Sequence, residues 1–233
     1  MALYVLADLH LSHSADKPMD VFGARWENHT EKIYKNWQET VKETDTVVIP
    51  GDISWGMNFD SAYDDLKFVD SLNGRKIIGK GNHDYWWQTM AKLNAFVRDN
   101  GLDTVSFLFN NAYAVENYII CGTRGWMLDD AYSADDEKIV LREAGRLRLS
   151  LAEAEKLKKD YPDNEIVAFL HYPPSYKGNV CRPIADVLEE YNIKRCFYGH
   201  LHGVKSESLE TRLGETRLYC VSADLIGFKP MRV

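Results

Sequence analysis

The chain has only four cysteines in 233 residues, Cys121, Cys181, Cys196 and Cys220, and no two of them form a Cys-x-x-Cys pair. That spacing excludes a thiolate metal cage and a redox pair of the usual kind. Three of the four sit in apolar, strand-like surroundings, so they are expected to be buried, reduced thiols, which suits a cytoplasmic location. Long apolar runs are missing too. No stretch approaches the ~20 residues of a membrane span, and the opening MALYVLADLHLS has no basic leader, so an unexported soluble chain is expected. Basic charge is also scarce: 28 Lys and Arg against 35 Asp and Glu give a formal net charge of -7. An extended nucleic-acid surface needs a basic face, whereas a single phosphate pocket does not. Repeats, Ser/Pro-rich linkers and low-complexity tracts are absent. The 45% hydrophobic content can fill one core or at most two small ones, and 1–233 is expected to be a single domain.

Short apolar runs alternate with helical patterns. The runs are Leu3 to Ala7, Thr46 to Ile49, Lys76 to Ile78, Tyr118 to Cys121, Ile166 to Leu170, Arg195 to Tyr198 and Arg217 to Val221. Between them, Ile33, Trp37 and Val41 recur every four residues behind an Asn28-x-x-Glu31 start signal. Leu66, Val69 and Leu72 run into Asn73-Gly74, and Ile184, Val187, Leu188 and Tyr191 form another apolar face. This alternation predicts an α/β sandwich. Residues 133–160 are strongly charged but keep Val140, Ala144, Leu147, Leu151 and Ala154 on one stripe, a long or broken helix flanking the core.

Chemically capable residues follow the apolar runs at their C-terminal ends. Asp8 and His10 follow the first run, Gly51-Asp52 the second, Asn82-His83-Asp84 the third, His171 the fifth and Gly199-His200-Leu201-His202 the sixth. Strand C-termini of open α/β sheets share one crevice, where such folds bind ligands. Each segment alone has a plain structural account. An Asp closing a strand forms turns, and Asp84 could cap the helix containing Met90, Leu93 and Val97. As a set they point elsewhere, because five of the seven histidines lie at these ends and only His13 and His29 do not. Burying so many imidazoles and carboxylates together is costly without a cation. The donors Asp8, His10, Asp52, Asn82, His171, His200 and His202 mix oxygen and nitrogen with no thiolate. They suit a pair of divalent transition-metal ions, manganese first, with iron, zinc, nickel and cobalt as the other candidates.

These motifs, Asp8-Leu9-His10, Gly51-Asp52, Gly81-Asn82-His83-Asp84, His171 and Gly199-His200-Leu201-His202, resemble in content and order those of the calcineurin-like metallophosphoesterase superfamily. The resemblance spans nearly the whole chain. It implies a four-layer αββα sandwich of two mixed β-sheets with a dimetal site at the strand C-terminal ends. Asp8, His10 and His202 would hold one metal, Asn82, His171 and His200 the other, and Asp52 would bridge them. Trp55 stands where purple acid phosphatases carry a tyrosine ligand, and the GDxxDRG and RGNHE signatures of Ser/Thr protein phosphatases are absent. GHLH fits the bacterial phosphodiesterase-like branches, which also include phosphomonoesterases.

The expected activity is hydrolysis of phosphodiester or phosphomonoester bonds by a dimetal-activated hydroxide. In-line attack needs an acid for the leaving group and countercharge for the equatorial oxygens. His83 is the candidate acid, with Asp84 orienting its ring, and Arg124 is the candidate countercharge, ahead of Arg25 and Arg182. Trp55, Tyr85, Trp86, Trp87 and Trp126 either line a pocket for a flat, nucleotide-like group of a small phosphorylated substrate or pack beneath the loops. The competing function is a non-catalytic scaffold of the same fold that binds a protein partner. An amide or lactam hydrolase is disfavoured by the absence of an HxHxDH cluster.

Overall fold

Most of the apolar runs become strands buried on both faces, while Arg217 to Val221 alternates between buried and more exposed positions. The computed structural model describes residues 1–128, 133–204 and 209–233. The strands are β1 (Leu3–Val5), β2 (Thr46–Ile49), β3 (Arg75–Ile78), β4 (Val105–Phe107), β5 (Tyr113–Val115), β6 (Tyr118–Thr123), β7 (Glu165–Leu170), β8 (Ser175–Tyr176), β9 (Asn179–Val180), β10 (Arg195–Tyr198), β11 (Glu210–Leu213), β12 (Thr216–Cys220) and β13 (Met231–Arg232). The helices are α1 (His29–Thr40), α2 (Phe59–Ser71), α3 (Met90–Asp99), α4 (Ala134–Asp160) and α5 (Arg182–Glu190).

Two mixed sheets result. The first has the order β13-β1-β2-β3-β4, with Val5 opposite Val48 and Ile49 opposite Ile78. It is parallel throughout except for the antiparallel edge strand β13. The second has the order β11-β12-β10-β7-β6-β5, with four parallel central strands and antiparallel edges. Alternate side chains then divide between one central core and two outer ones. Val5, Val48 and Ile77 of the first sheet meet Ile120, Val167, Phe169, Phe197 and Val221 of the second. Their neighbours point outward: Val47, Ile49 and Ile78 pack with Ile33, Trp37, Leu66 and Val69, while Ala168, Cys196 and Leu218 pack with Val140, Leu147, Leu151, Ile184 and Leu188. The arrangement is the expected αββα sandwich. Phe169 stacks on Phe197 at 5.4 Å, so truncating it to alanine should cost about 3–5 kcal/mol.

Helix α4 is one continuous helix, started by reciprocal Ser133 and Asp136 caps and buried along its predicted stripe. The Asn28-x-x-Glu31 signal behaves differently. Asn28 is left-handed at φ 52° and its side chain caps nothing, although α1 begins directly after it. Helix α3 is capped by Thr89, which frees Asp84 for another task. Lys76 lies in the strand interior yet is fully buried, because its ammonium donates to the carbonyls of Asp70, Leu72 and Gly74 at the C-terminal end of α2. Burial lowers its pKa to about 8. All four cysteines are buried and unpaired. Among the described residues, no helix is long and apolar enough to cross a membrane.

Candidate active site

The parallel strands deliver their C-terminal loops to one end of the sandwich. There the loops are laced by backbone bonds: Asp8 N–H donates to Gly51 O at 3.1 Å and His10 N–H to Asp52 O at 3.0 Å. Asp8, His10, Asp52 and His200 all have positive φ, between 46° and 70°. Such conformations cost of order 1–3 kcal/mol each and persist where the surroundings over-determine them. Two motif glycines are explained by space. A Cβ on Gly199 would lie 2.5 Å from Asp8 Oδ2, and one on Gly81 would lie 2.8 Å from Asp52 Cγ.

All seven predicted donors converge. Asp8, His10 and His202 can direct ligand atoms at one point, and so can Asp8, Asp52 and His171, so Asp8 belongs to both groups. Asn82 Oδ1 lies 2.6 Å from His171 Nε2 and 2.9 Å from His200 Nδ1. Asp52 Oδ2 sits 3.7 Å from His10 Nε2 and 3.6 Å from His171 Nε2. Its other oxygen accepts the His83 N–H at 2.8 Å, which fixes the carboxylate between the two sets.

The protonation chemistry fits cations. Burial holds His10 well below the ordinary imidazole range and lowers His171 and His200 to about 3, so these rings are neutral and offer lone pairs. Burial likewise raises Asp8 to about 7 and Asp52 to about 6, a measure of uncompensated negative charge. His171 Nδ1 faces Pro50 O at 3.2 Å, a group that can only accept. The proton is therefore on Nδ1, and the Nε2 lone pair points at Asn82 Oδ1. Two acceptors turned toward each other are satisfied by a cation between them.

Several side chains support this cluster. His202 Nδ1 donates to Asp224 Oδ1 at 2.8 Å. Burial opposes charge on the His202 ring, but that hydrogen bond and the charges of Asp8, Asp224 and Asp52 outweigh it and raise its pKa. The two histidines outside the motifs are buttresses. His29 Nε2 donates to His10 O at 3.2 Å, and His13 bonds through N and Nδ1 to buried Asp65, which also accepts from Ser54 Oγ. Asp224 was not foreseen, although the strand-end rule could have found it: β12 is followed by Ser222-Ala223-Asp224.

Two expected roles are corrected. Asp84 does not reach the His83 ring. Its carboxylate accepts the N–H groups of Asp52, Ile53 and Gly81 at 2.8–2.9 Å and the Trp86 indole at 3.0 Å, stapling the Gly51-Asp52 and Gly81-Asn82 loops together. Burial, then the Asp52 charge, raises its pKa to about 7. His83 Nδ1 is buried and has no hydrogen-bond partner among the described residues. Arg124 is drawn away from the cleft. Its guanidinium lies over Trp126 and is 3.9 Å from buried Glu143, while its carbonyl accepts the His171 N–H at 3.0 Å.

Beside the donors lies a cleft of about 340 Å³ lined by Met19, Phe22, Arg25, Trp26, Trp55 and His83 together with His10, Asp52, His200 and His202. Of the predicted aromatics only Trp55 lines it, stacked on His10 at 5.0 Å and tilted against His83 at 4.2 Å. Trp86 and Trp87 are core residues, Tyr85 meets the His83 ring edge-on, and Trp126 packs on Tyr172. Phe22, Arg25 and Trp26 arrive on short 3-10 turns after the first motif. They follow no strand, so the positional rule could not select them.

No curated protein sequence matches this chain significantly. Among solved structures, a protein of unknown function, AQ665, from Aquifex aeolicus is similar with TM-score 0.51 and 16% identity, covering 99% of this chain and 95% of that one. TT1561 of Thermus thermophilus is similar with TM-score 0.55 and 12% identity, covering 99% and 97%. At these identities the likeness speaks to fold alone. The family model for calcineurin-like phosphoesterases matches residues 1–204, which include all five motifs. The family's chemistry is metal-dependent phosphoester hydrolysis, and this chain belongs to the calcineurin-like phosphoesterases.

Proposed function

We propose that the protein is a dimetal phosphohydrolase of small phosphorylated substrates, cleaving phosphodiester or phosphomonoester bonds within one catalytic domain spanning 1–233. The observation that carries this reading is the single oxygen Asp52 Oδ2, nearly equidistant from His10 Nε2 and His171 Nε2. One carboxylate oxygen between two neutral imidazoles fits a bridge between two cations. Asp8, His10 and His202 would hold one ion and Asn82, His171 and His200 the other, with manganese the first candidate. Two such ions, when bound, polarise phosphoryl oxygens and lower the pKa of water between them.

The chain's own residues supply the rest. Asp224 holds the His202 proton on Nδ1 and so directs Nε2 into the site. Asn82 contributes oxygen without charge, which limits repulsion of an incoming phosphate. His83, held against Trp55 at the cleft wall, is placed to deliver a proton to the departing ester oxygen. Met19, Phe22, Trp26 and Trp55 give the ester group an apolar surface, which suits a flat or nucleotide-like group. Four buried free thiols favour a reducing, cytoplasmic setting.

Purified protein should contain close to two transition-metal ions per chain and hydrolyse an activated aryl phosphodiester or monoester. Activity should fall with a chelator and return with manganese. Full activity in verified metal-free protein overturns this assignment.

A further inference from the structure

With Arg124 turned toward Glu143, the cleft needs another cation for the phosphoryl oxygens. Arg25 is the arginine that lines it. Its Nη1 donates to Asp224 Oδ2 at 3.2 Å, and its side chain is 48% exposed. A guanidinium carries five N–H groups, and beyond this bond Arg25's find no acceptor among the described residues. Asp224, itself part of the cleft wall, accepts other donors as well. Its Oδ1 takes His202 Nδ1, and Oδ2 also takes the Gly203 N–H at 3.3 Å. The arginine is thus tethered at one corner to the residue that orients a metal-site histidine, with the rest of its fork unspent at the cleft.

We propose that Arg25 is a substrate-binding residue that clamps the non-bridging oxygens of the phosphoryl group. A planar fork suits two phosphate oxygens, and tethering one corner lowers the entropy lost when the others bind. The neighbouring apolar residues Phe22, Trp26 and Trp55 offer no hydrogen-bonding surface of comparable charge, so the anionic end of the substrate is directed to Arg25 and the metal side. The other cation nearby, Lys17, covers the Trp55 ring at 4.6 Å and is not among the cleft-lining residues.

This assignment rests on the phosphoesterase function proposed above, and the test separates the two. Arg25→Ala, Arg25→Lys and Lys17→Ala are prepared with manganese, their metal content is measured, and inorganic phosphate binding is followed by calorimetry alongside kcat/KM on an aryl phosphate. Arg25→Ala should keep its metals and bind phosphate about 10- to 100-fold more weakly, with a parallel fall in kcat/KM. Arg25→Lys should recover part of the affinity, and Lys17→Ala should match the parent. Unchanged phosphate affinity in metal-loaded, active Arg25→Ala overturns the clamp while leaving the phosphoesterase assignment intact. Loss of metal in parallel with affinity overturns it in favour of a support for His202 through Asp224. An equal loss in Lys17→Ala reduces the effect to general charge and overturns it too. A parent protein without metal or phosphoesterase activity instead removes the underlying function.

Discussion

Replacing Gly81 by alanine tests how the Gly51-Asp52 and Gly81-Asn82 loops hold the carboxylate proposed as the bridge. The added Cβ would lie 2.8 Å from Asp52 Cγ and closer still to Asp52 Oδ1 and N. Carbon atoms normally settle near 3.5 Å, so Asp52 must retreat by at least about 0.7 Å. Simple separation of the loops is resisted, because Gly81 N–H and Asp52 N–H both donate to Asp84 Oδ2, at 2.8 and 2.9 Å. The overpacking should cost about 1–3 kcal/mol, or a fall of about 2–12 °C in Tm for a chain of this size. A displacement approaching 1 Å in a catalytic constellation costs about 10²-fold in rate. Gly101→Ala is the control. Its φ is +64° with nothing within 4 Å of the added carbon, so it should lose a comparable ~1–2 kcal/mol through backbone strain alone and keep full activity. The measurements are thermal unfolding, metal content by elemental analysis, and kcat/KM on an aryl phosphodiester. A Gly81→Ala protein with two metals and parental turnover would refute the close approach of these loops.

Asp52→Asn should weaken both metal sites together, whereas a His202 substitution should affect mainly one; elemental analysis showing two tightly held ions in Asp52→Asn removes the bridge. His83→Asn should keep its metals and slow hydrolysis by ~10²- to 10⁴-fold on alkyl or ribose esters but far less on nitrophenyl esters, because a good leaving group needs little protonation. Equal losses on matched ester pairs would move His83 from the leaving group to the phosphoryl group. Asp84→Asn should behave differently. It turns one acceptor toward the Gly81 and Asp52 N–H groups into a donor, at about 1–3 kcal/mol for each donor left unsatisfied, so unfolding should come earlier and activity should fall equally for all leaving groups. A selective loss on poor leaving groups, with unchanged unfolding, would restore Asp84 as the partner of His83.

The sequence alone determined which segments form the central strands and which residue types meet at their ends. Both faces of the central strands are buried, so the strands are written as short unbroken apolar runs, and the polar residue after each run marks the end where parallel strands open onto solvent. Short edge strands such as Met231–Arg232 and Tyr113–Val115 carry too few residues for any period to show, and they are decided by the neighbour they pair with. The candidate donors were legible because a metal selects donors by element and charge, which a residue's name already states. Partner choice was not. Asp84 follows His83 in the chain, yet its carboxylate is taken by Asp52 and Ile53 backbone donors from another loop, which satisfy buried N–H groups at lower cost than leaving them bare. Arg124 stands beside the predicted loops, but its guanidinium packs over Trp126 and 3.9 Å from Glu143, a buried carboxylate of α4 already paired with Arg146 at 2.6 Å. Arg25 and Asp224 are 199 residues apart in sequence, so only the folded chain could reveal that one braces the other at the cleft.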